Sequence, residues 1–349
     1  MKNLLGVTLE DLTTELMARG ESKYRAKQLY SWIYQKSVYD FDAMSDVSKA
    51  FREVLKNEYS LALPSIYRKQ ISKDGTVKLL LEMEDGAKVE TVLMPYSYGN
   101  AICVSSEVGC SMACAFCASG LHRKERGLTQ AEMMGQLLVM NAILQERGER
   151  VTHIVVMGTG EPFDNYDNVL SFLKCANSPF GLAIGARHIT VSTCGLPEGI
   201  VRYGMEGLQF NLAISLHAPS QEVRQEIMPI ARRYAIPELF EAIHEYEANA
   251  GRRVTFEYIL LAGINDSLED ADALANLIRE YDIFAYVNLI PYNEVQEKPF
   301  KRSSSTAIKA FADRLMKKGI NTTIRKEFGG DIDAACGQLR AKVMQKERS

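Results

Sequence analysis

The first sixty residues carry apolar side chains at the spacing of amphipathic helices. Residues 9–19 place them three and four positions apart, and a second such stretch runs over 24–34. That period is typical of a helix that buries one face. The sequence therefore predicts a small helical accessory domain at residues 1–62, with basic side chains at Lys23, Arg25 and Lys27.

Two short strand-like runs follow this helical part. They cover 76–83 and 88–94, and Asp85-Gly86 lies between them. An Asp-Gly pair between two apolar runs favours a tight hairpin turn. We therefore interpret residues 63–100 as a β-hairpin or linker region.

From residue 101 onward, strand-like runs alternate with helical ones. The strand-like runs lie at 101–105, 152–157, 188–192, 211–215, 254–259, 286–290 and 321–325. Such alternation predicts a parallel sheet with right-handed crossovers, and six or more units predict a partial or full barrel. The expected fold class is therefore α/β, with a (β/α) barrel over 101–349 behind the helical domain.

Composition narrows the class of protein. The chain is 46% hydrophobic and 24% charged, and no apolar run approaches the roughly 18 residues of a membrane span. Its beginning meets Glu10 and Asp11 early, unlike a secretory signal. Seven cysteines are too few and too clustered for a disulfide framework. We expect a cytoplasmic protein without membrane contact.

The charge is unevenly distributed. The net charge is -3, yet residues 298–349 hold 13 basic side chains against 5 acidic ones. Such an excess suits a phosphate backbone. A solvated helix face carrying Lys309, Arg314, Lys317 and Lys318 explains it equally well.

Three cysteines share one short loop at the spacing Cys110-x3-Cys114-x2-Cys117. Structural zinc sites usually take four protein ligands, so three leave one coordination position open. A zinc loop lacking its fourth ligand and a set of buried thiols are the alternatives. The spacing resembles that of radical S-adenosylmethionine enzymes, which implies a 4Fe-4S cluster whose unique iron binds the methionine moiety.

A second motif follows the strand-like run at 152–157. Gly158-Thr159-Gly160-Glu161-Pro162 combines glycines, which let a backbone approach a ligand, with a carboxylate that accepts hydrogen bonds from an ammonium group. Beside the cysteine loop it resembles the Gly-Glu-Pro motif that holds the methionine amine in radical S-adenosylmethionine enzymes.

Polar groups also end two later strands, at Ser192 and at Ser215-Leu216-His217. Hydroxyls and an imidazole suit carboxylate, ribose or adenine contacts, and ordinary strand-end capping is the alternative. Among the remaining cysteines, Cys175 and Cys194 are interpreted as inert buried thiols.

Between about residues 24 and 339 the sequence resembles the RlmN/Cfr family of adenosine methyltransferases. The residues that carry the resemblance are Val89-Glu90-Thr91-Val92, Cys103 through Cys117, Gly160-Glu161-Pro162, Ser215-Leu216-His217, Pro291-Tyr292-Asn293 and Asp331 through Leu339, which includes Cys336. One departure is Thr159, where the family often has methionine.

The resemblance implies a partial barrel of the radical S-adenosylmethionine type that ends in a methyl-carrying segment. It implies that Cys110, Cys114 and Cys117 hold the cluster. It further implies a set of residues that bind S-adenosylmethionine, namely Gly160, Glu161, Ser192, Ser215, Leu216, His217 and Asn293.

The resemblance also implies the reaction, which uses two S-adenosylmethionine molecules per turnover. One methylates Cys336, and cleavage of the other gives a 5'-deoxyadenosyl radical that takes hydrogen from this methyl group. The carbon radical adds to the adenine, Glu90 removes the ring proton, and Cys103 attacks the Cys336 sulfur, which releases RNA and leaves a disulfide.

Overall resemblance favours methylation of carbon 2 of an adenosine in 23S rRNA and in tRNA. An electron donor such as flavodoxin or ferredoxin and a monomeric state are expected with it. Methylation of carbon 8, as in the Cfr branch, a radical enzyme with a non-RNA substrate, and a non-enzymatic metal or RNA-binding module are the alternatives.

Overall fold

The computed structural model describes residues 1–332 and Leu339. Its N-terminal part is helical, as predicted. Strands β1 (Lys2–Asn3) and β2 (Tyr59–Ser60) pair in parallel around helices α1 (Leu9–Ala18), α2 (Lys23–Tyr30) and α3 (Lys49–Glu58). A π-helical turn, Ser31–Gln35, extends α2. Thr8 and Ser48 begin α1 and α3 because their side chains accept first-turn backbone N–H groups.

Three antiparallel strands come next: β3 (Ser65–Ile71), β4 (Val77–Glu82) and β5 (Lys88–Tyr96). The hairpin predicted at Asp85-Gly86 joins β4 to β5 and is confirmed. Strand β3 was not predicted, because as an edge strand it exposes nearly all its side chains and lacks an apolar pattern. Strand β5 pairs with β6 (Gly99–Cys103), so the hairpin region continues the main sheet.

The rest of the described chain supplies the barrel. Strands β7 (Glu107–Val108) and β8 (Arg126–Gly127) form a separate two-stranded sheet, and the further barrel strands are β9 (Val151–Val156), β10 (Ile189–Thr193), β11 (Asn211–Ser215), β12 (Val254–Leu260), β13 (Ala285–Pro291) and β14 (Thr322–Ile324). Its helices are α4 (Gln130–Gln145), α5 (Tyr166–Asn177), α6 (Pro197–Met205), α7 (Gln221–Ile227), α8 (Ile236–Ala250), α9 (Leu268–Glu280) and α10 (Ser305–Lys317).

Within residues 1–332, ten strands form one sheet in the order β14-β13-β12-β11-β10-β9-β6-β5-β4-β3. Strands β6 and β9 to β14 are mutually parallel, and β3 to β5 extend the sheet antiparallel. The sheet has β14 and β3 as its two edges, so the predicted partial barrel is confirmed. The carboxyl ends of the parallel strands meet on one rim, where barrel enzymes place their active sites.

One apolar core joins the helical part to the barrel. It includes Leu16 and Tyr30 from the N-terminal helices together with Phe172 of α5. The Tyr30 hydroxyl lies 3.6 Å from the Cys175 sulfur, so Cys175 is a core thiol, as predicted. Of the helices within the described residues, none combines the length and the apolar character needed to cross a bilayer.

Candidate active site

The three cysteines of the 110–117 loop lie around one cavity at the strand-end rim. Its volume is about 190 Å³, and Glu161, Ser192, Ser215 and His217 also line it. The loop is held in place by backbone hydrogen bonds, from the Ala115 amide to the Ile227 carbonyl (2.8 Å) and from the Cys117 amide to the Cys114 carbonyl (3.1 Å). The fold therefore brings together side chains from four separate sequence motifs.

The thiols of this loop suit coordination to a cationic centre. Burial raises the pKa of Cys110 to about 12 and that of Cys114 well above its usual value, and the nearby Cys117 adds to both shifts. A coordinating metal would favour the thiolate forms that burial disfavours. Among residues 1–332 and Leu339, no three His, Cys, Asp or Glu side chains surround a single ion position. Three cysteines that line one cavity without surrounding one ion position still fit a 4Fe-4S cluster, because each cysteine binds a different iron.

The Gly-Glu-Pro turn is packed tightly against the segment that leads into the cysteine loop. Gly160 has φ of +114°, and a Cβ there would lie 2.6 Å from the Cγ of Glu107. Glu107 is fully buried, accepts the Glu161 backbone N–H at 3.0 Å and pairs with Lys124 at 2.6 Å. Glycine is therefore required at position 160, and Glu107 fixes the backbone of Glu161.

The Glu161 carboxylate is itself held by two backbone amides. One oxygen accepts the Phe163 N–H at 3.0 Å and the other accepts the Cys194 N–H at 2.8 Å. Burial raises the pKa of Glu161, and these hydrogen bonds, led by the one from Cys194, oppose the rise. The result is a fixed acceptor in the wall of the cysteine cavity, which fits an ammonium group.

The imidazole of His217 is neutral and fixed in one tautomer. Burial, aided by the charge of Arg224, lowers the pKa of His217 to about 3. Its Nδ1 accepts the Ile259 backbone N–H at 3.1 Å, so Nε2 carries the proton and is a donor. Leu216, by contrast, packs in the apolar core.

A second cavity, of about 290 Å³, adjoins the first. Glu90, Cys103 and Asn293 line it, and both cavities share Cys117 and Arg325 in their walls. Strand register explains the grouping: Cys103 on β6 stands opposite Val92 on β5, two residues from Glu90. The predicted proton acceptor and the predicted resolving thiol therefore lie in one cavity, beside the cysteine loop.

Two charged side chains beside this second cavity are buried in the sheet. The side chains of Glu90 and Lys78 are 3% and 0% exposed, and their charged atoms lie 2.9 Å apart. Burial raises the pKa of the Cys103 thiol, and the charges of Arg325 and Lys78 oppose the rise.

Cys336 lies outside the described residues. The chain on either side of it contacts the β3–β4 region: the Asp331 side chain accepts hydrogen bonds from Ser72 and from the Lys73 amide, and Leu339 packs on Leu80. Leu80 stands opposite Glu90 on the neighbouring strand. The implied disulfide is not supported, since Cys103 is a free thiol in this structure.

The sequence analysis missed several residues that shape the site. Cys194, interpreted as inert, lines the cysteine cavity and binds Glu161 through its amide. Arg224 is fully buried and donates to the carbonyl groups of Cys194 and Leu216. A lone lysine within the apolar strand sequence Val-Lys-Leu-Leu-Leu was the available signal for Lys78.

Several basic side chains on and around helix α10 pair with carboxylates within the described residues. Arg314 and Lys318 contact Asp272, and Lys309 contacts Asp313. On α2, Lys27 lies over the ring of Phe180. These contacts favour the solvated-face interpretation for helix α10 over a dedicated phosphate surface.

Comparison with known proteins shows which class of protein has this fold. The Radical SAM superfamily model matches residues 104–278, and the model described as ribosomal RNA large subunit methyltransferase N-terminal domain matches residues 2–61. A crystal structure of a radical SAM methyltransferase from Sphaerobacter thermophilus superposes with a TM-score of 0.91 at 41% identity, covering 97% of this chain and 99% of that one. The chain therefore has the fold of a radical S-adenosylmethionine methyltransferase.

The sequence relatives narrow the class. Proteins named probable dual-specificity RNA methyltransferase RlmN are 51% identical to this chain in Spiroplasma citri, over 98% of both chains, and 51% identical in Enterococcus faecalis, over 99% of this chain and 98% of that one. The chain belongs to the RlmN family of RNA methyltransferases. The predictions of a radical mechanism, a 4Fe-4S cluster and S-adenosylmethionine are confirmed by this membership.

Proposed function

We propose that this enzyme methylates carbon 2 of a specific adenosine in 23S rRNA and in tRNA. The observation that carries the proposal is the pair of adjoining cavities. One holds the three loop cysteines with Glu161, and the other holds Glu90 with Cys103. Full-length identity of about half to relatives named RlmN favours carbon 2 over carbon 8.

The first cavity is the proposed cofactor site. Cys110, Cys114 and Cys117 hold the cluster, which when bound supplies the electron that cleaves S-adenosylmethionine. The Glu161 carboxylate accepts hydrogen bonds from the methionine ammonium group, and the His217 Nε2–H and the Ser192 hydroxyl are available donors.

Three further residues complete the proposed cofactor contacts. Ser215 lines the cysteine cavity, whereas the side chain of Leu216 packs in the core, so the proposed Leu216 contact is made by its backbone. Asn293 lies in the wall of the second cavity, which Cys117 also lines. Gly160 has a positive φ and no Cβ, so its backbone can lie close to the cofactor.

The second cavity is the proposed site of base chemistry. Cys336 carries the transferred methyl group, Glu90 accepts the ring proton, and Cys103 attacks the Cys336 sulfur to release the product. Leu339, three residues after Cys336, packs on Leu80 beside Glu90, which supports delivery of the methyl carrier to this side of the sheet.

The remaining partners are proposals from family membership. The enzyme acts in the cytoplasm as a monomer and takes electrons from a flavodoxin or ferredoxin. A target base that is stacked is extruded to reach the second cavity, because a carbon radical adds to the face of the ring, which stacking covers.

Mass spectrometry of nucleosides tests the proposal. Cluster-reconstituted protein is incubated anaerobically with reductant, S-adenosylmethionine and unmodified 23S rRNA or tRNA. 2-Methyladenosine in both RNAs is the expected product. 8-Methyladenosine would move the enzyme to the carbon-8 branch, and cofactor cleavage without any methylated adenosine would indicate a different substrate.

A further inference from the structure

Lys78 is a buried charge that the reaction outlined above does not use. It is the second residue of β4, in the sequence Val-Lys-Leu-Leu-Leu-Glu, and its side chain is completely inaccessible to solvent. Lysine is almost never fully buried unless it is paired. Its position inside an otherwise apolar strand therefore calls for a partner and a reason.

The partner is Glu90. The Lys78 Nζ lies 2.9 Å from a Glu90 carboxylate oxygen. Strand register makes the contact diagonal: Lys78 stands opposite Val92, and Leu80 stands opposite Glu90. Because side chains two residues apart share a sheet face, Lys78 and Glu90 are on the same face, together with Cys103 opposite Val92.

Stability does not explain this pair. Removing two charges from water is costly, and well-packed apolar residues of similar volume usually stabilise a core as well or better. Leu79 and Leu81 show that the strand accommodates apolar residues on its other face. A buried ammonium next to a carboxylate in a cavity is, in contrast, an effective means of keeping that carboxylate in one orientation.

We propose that Lys78 is a positioning residue that holds the Glu90 carboxylate in place to accept the proton from the target adenine. The inference rests on the proposed function. In that step the carbon–hydrogen bond of the adduct breaks, the proton passes to Glu90, and the electron pair stays with the ring. The ring, already a radical after the addition, thereby becomes a radical anion, and it loses one electron to the one-electron oxidant that the reductive cleavage of S-adenosylmethionine left behind.

Lys78→Met tests the inference. Without the ion pair to Lys78, the Glu90 carboxylate loses a contact that fixes its position for the proton transfer. We expect Cys336 methylation and 5'-deoxyadenosine formation to continue, while methylated RNA per 5'-deoxyadenosine falls at least about tenfold and a covalent protein–RNA adduct builds up. Glu90→Gln should give the same adduct. Both products are measured by mass spectrometry, and the adduct by denaturing electrophoresis.

Two further variants separate positioning from folding. Leu79→Ala shortens a buried side chain on the opposite face of β4, so it lowers stability without touching the pair. It should leave the ratio of methylated RNA to 5'-deoxyadenosine at the wild-type value. The double variant Lys78→Met with Glu90→Gln removes both charges and should be no more uncoupled than Glu90→Gln alone. If Lys78→Met does not fold, Lys78→Gln replaces it.

The outcomes distinguish the two proposals. A wild-type protein that methylates no RNA overturns the proposed function and this inference with it. A wild type that makes 2-methyladenosine, with Lys78→Met within about twofold of its product ratio, overturns only the role of Lys78. Equal uncoupling by Leu79→Ala, or additive effects in the double variant, also overturns it.

Discussion

Glu161→Gln is the most direct test of the cofactor cavity. In the structure each carboxylate oxygen of Glu161 accepts one backbone N–H, from Phe163 at 3.0 Å and from Cys194 at 2.8 Å. Glutamine replaces one of these oxygens by an amide nitrogen. That nitrogen is a donor facing another donor, so one of the two hydrogen bonds is lost in either orientation.

The expected magnitudes follow from the lost contacts. A hydrogen bond to a charged group contributes about 1.5–3 kcal/mol, so the free energy of unfolding should fall by about that amount. The ammonium group of S-adenosylmethionine loses a charge-assisted contact of similar size. Its affinity should therefore weaken about 10- to 150-fold.

The assay is anaerobic equilibrium dialysis of S-adenosylmethionine with cluster-loaded protein, paired with urea denaturation. Glu132→Gln is a matched control, because Glu132 caps helix α4 and pairs with Arg126 without lining the cavity. It should lower stability and leave cofactor affinity unchanged. An affinity of Glu161→Gln within about twofold of wild type, or an equal loss in Glu132→Gln, would refute the assignment of Glu161 as the ammonium acceptor.

Three more predictions follow from particular contacts. Because the pKa of His217 is lowered to about 3, the unfolded state binds this proton more readily below about pH 6.5, and stability should fall by about 2 kcal/mol between pH 7 and pH 5 from this group alone. His217→Asn keeps an acceptor for the Ile259 amide and tolerates the positive φ, so it should lack this part of the slope in urea denaturation; identical slopes would contradict the argument. Cys103→Ala should leave protein covalently attached to RNA on a denaturing gel, and free product at the wild-type rate would count against a resolving role for Cys103. Leu339→Ala removes a buried contact with Leu80 worth about 2–5 kcal/mol, so methylated RNA should fall relative to 5'-deoxyadenosine, and an unchanged ratio would show that this contact does not guide the C-terminal segment.

Sequence periodicity was sufficient for most of the scaffold because helices and strands are set by local spacing. The alternation from residue 101 predicted a parallel sheet, and six of the predicted strands match β9 to β14 to within a few residues. It could not reveal β3, whose polar residues lie at a sheet edge. Nor could it show that the hairpin strands extend the barrel sheet, because that depends on pairing between β5 and β6.

The same distinction between local pattern and tertiary contact applies to the active site. The cysteine spacing and the Gly-Glu-Pro turn are local motifs, so the sequence by itself determined the class of cofactor and predicted which residues hold it. Only the tertiary structure placed Lys78 against Glu90, Glu107 beneath Glu161, and the Cys194 amide on the same carboxylate. These contacts join residues 12 to 54 positions apart, and they depend on strand register and on burial, which a linear pattern does not contain.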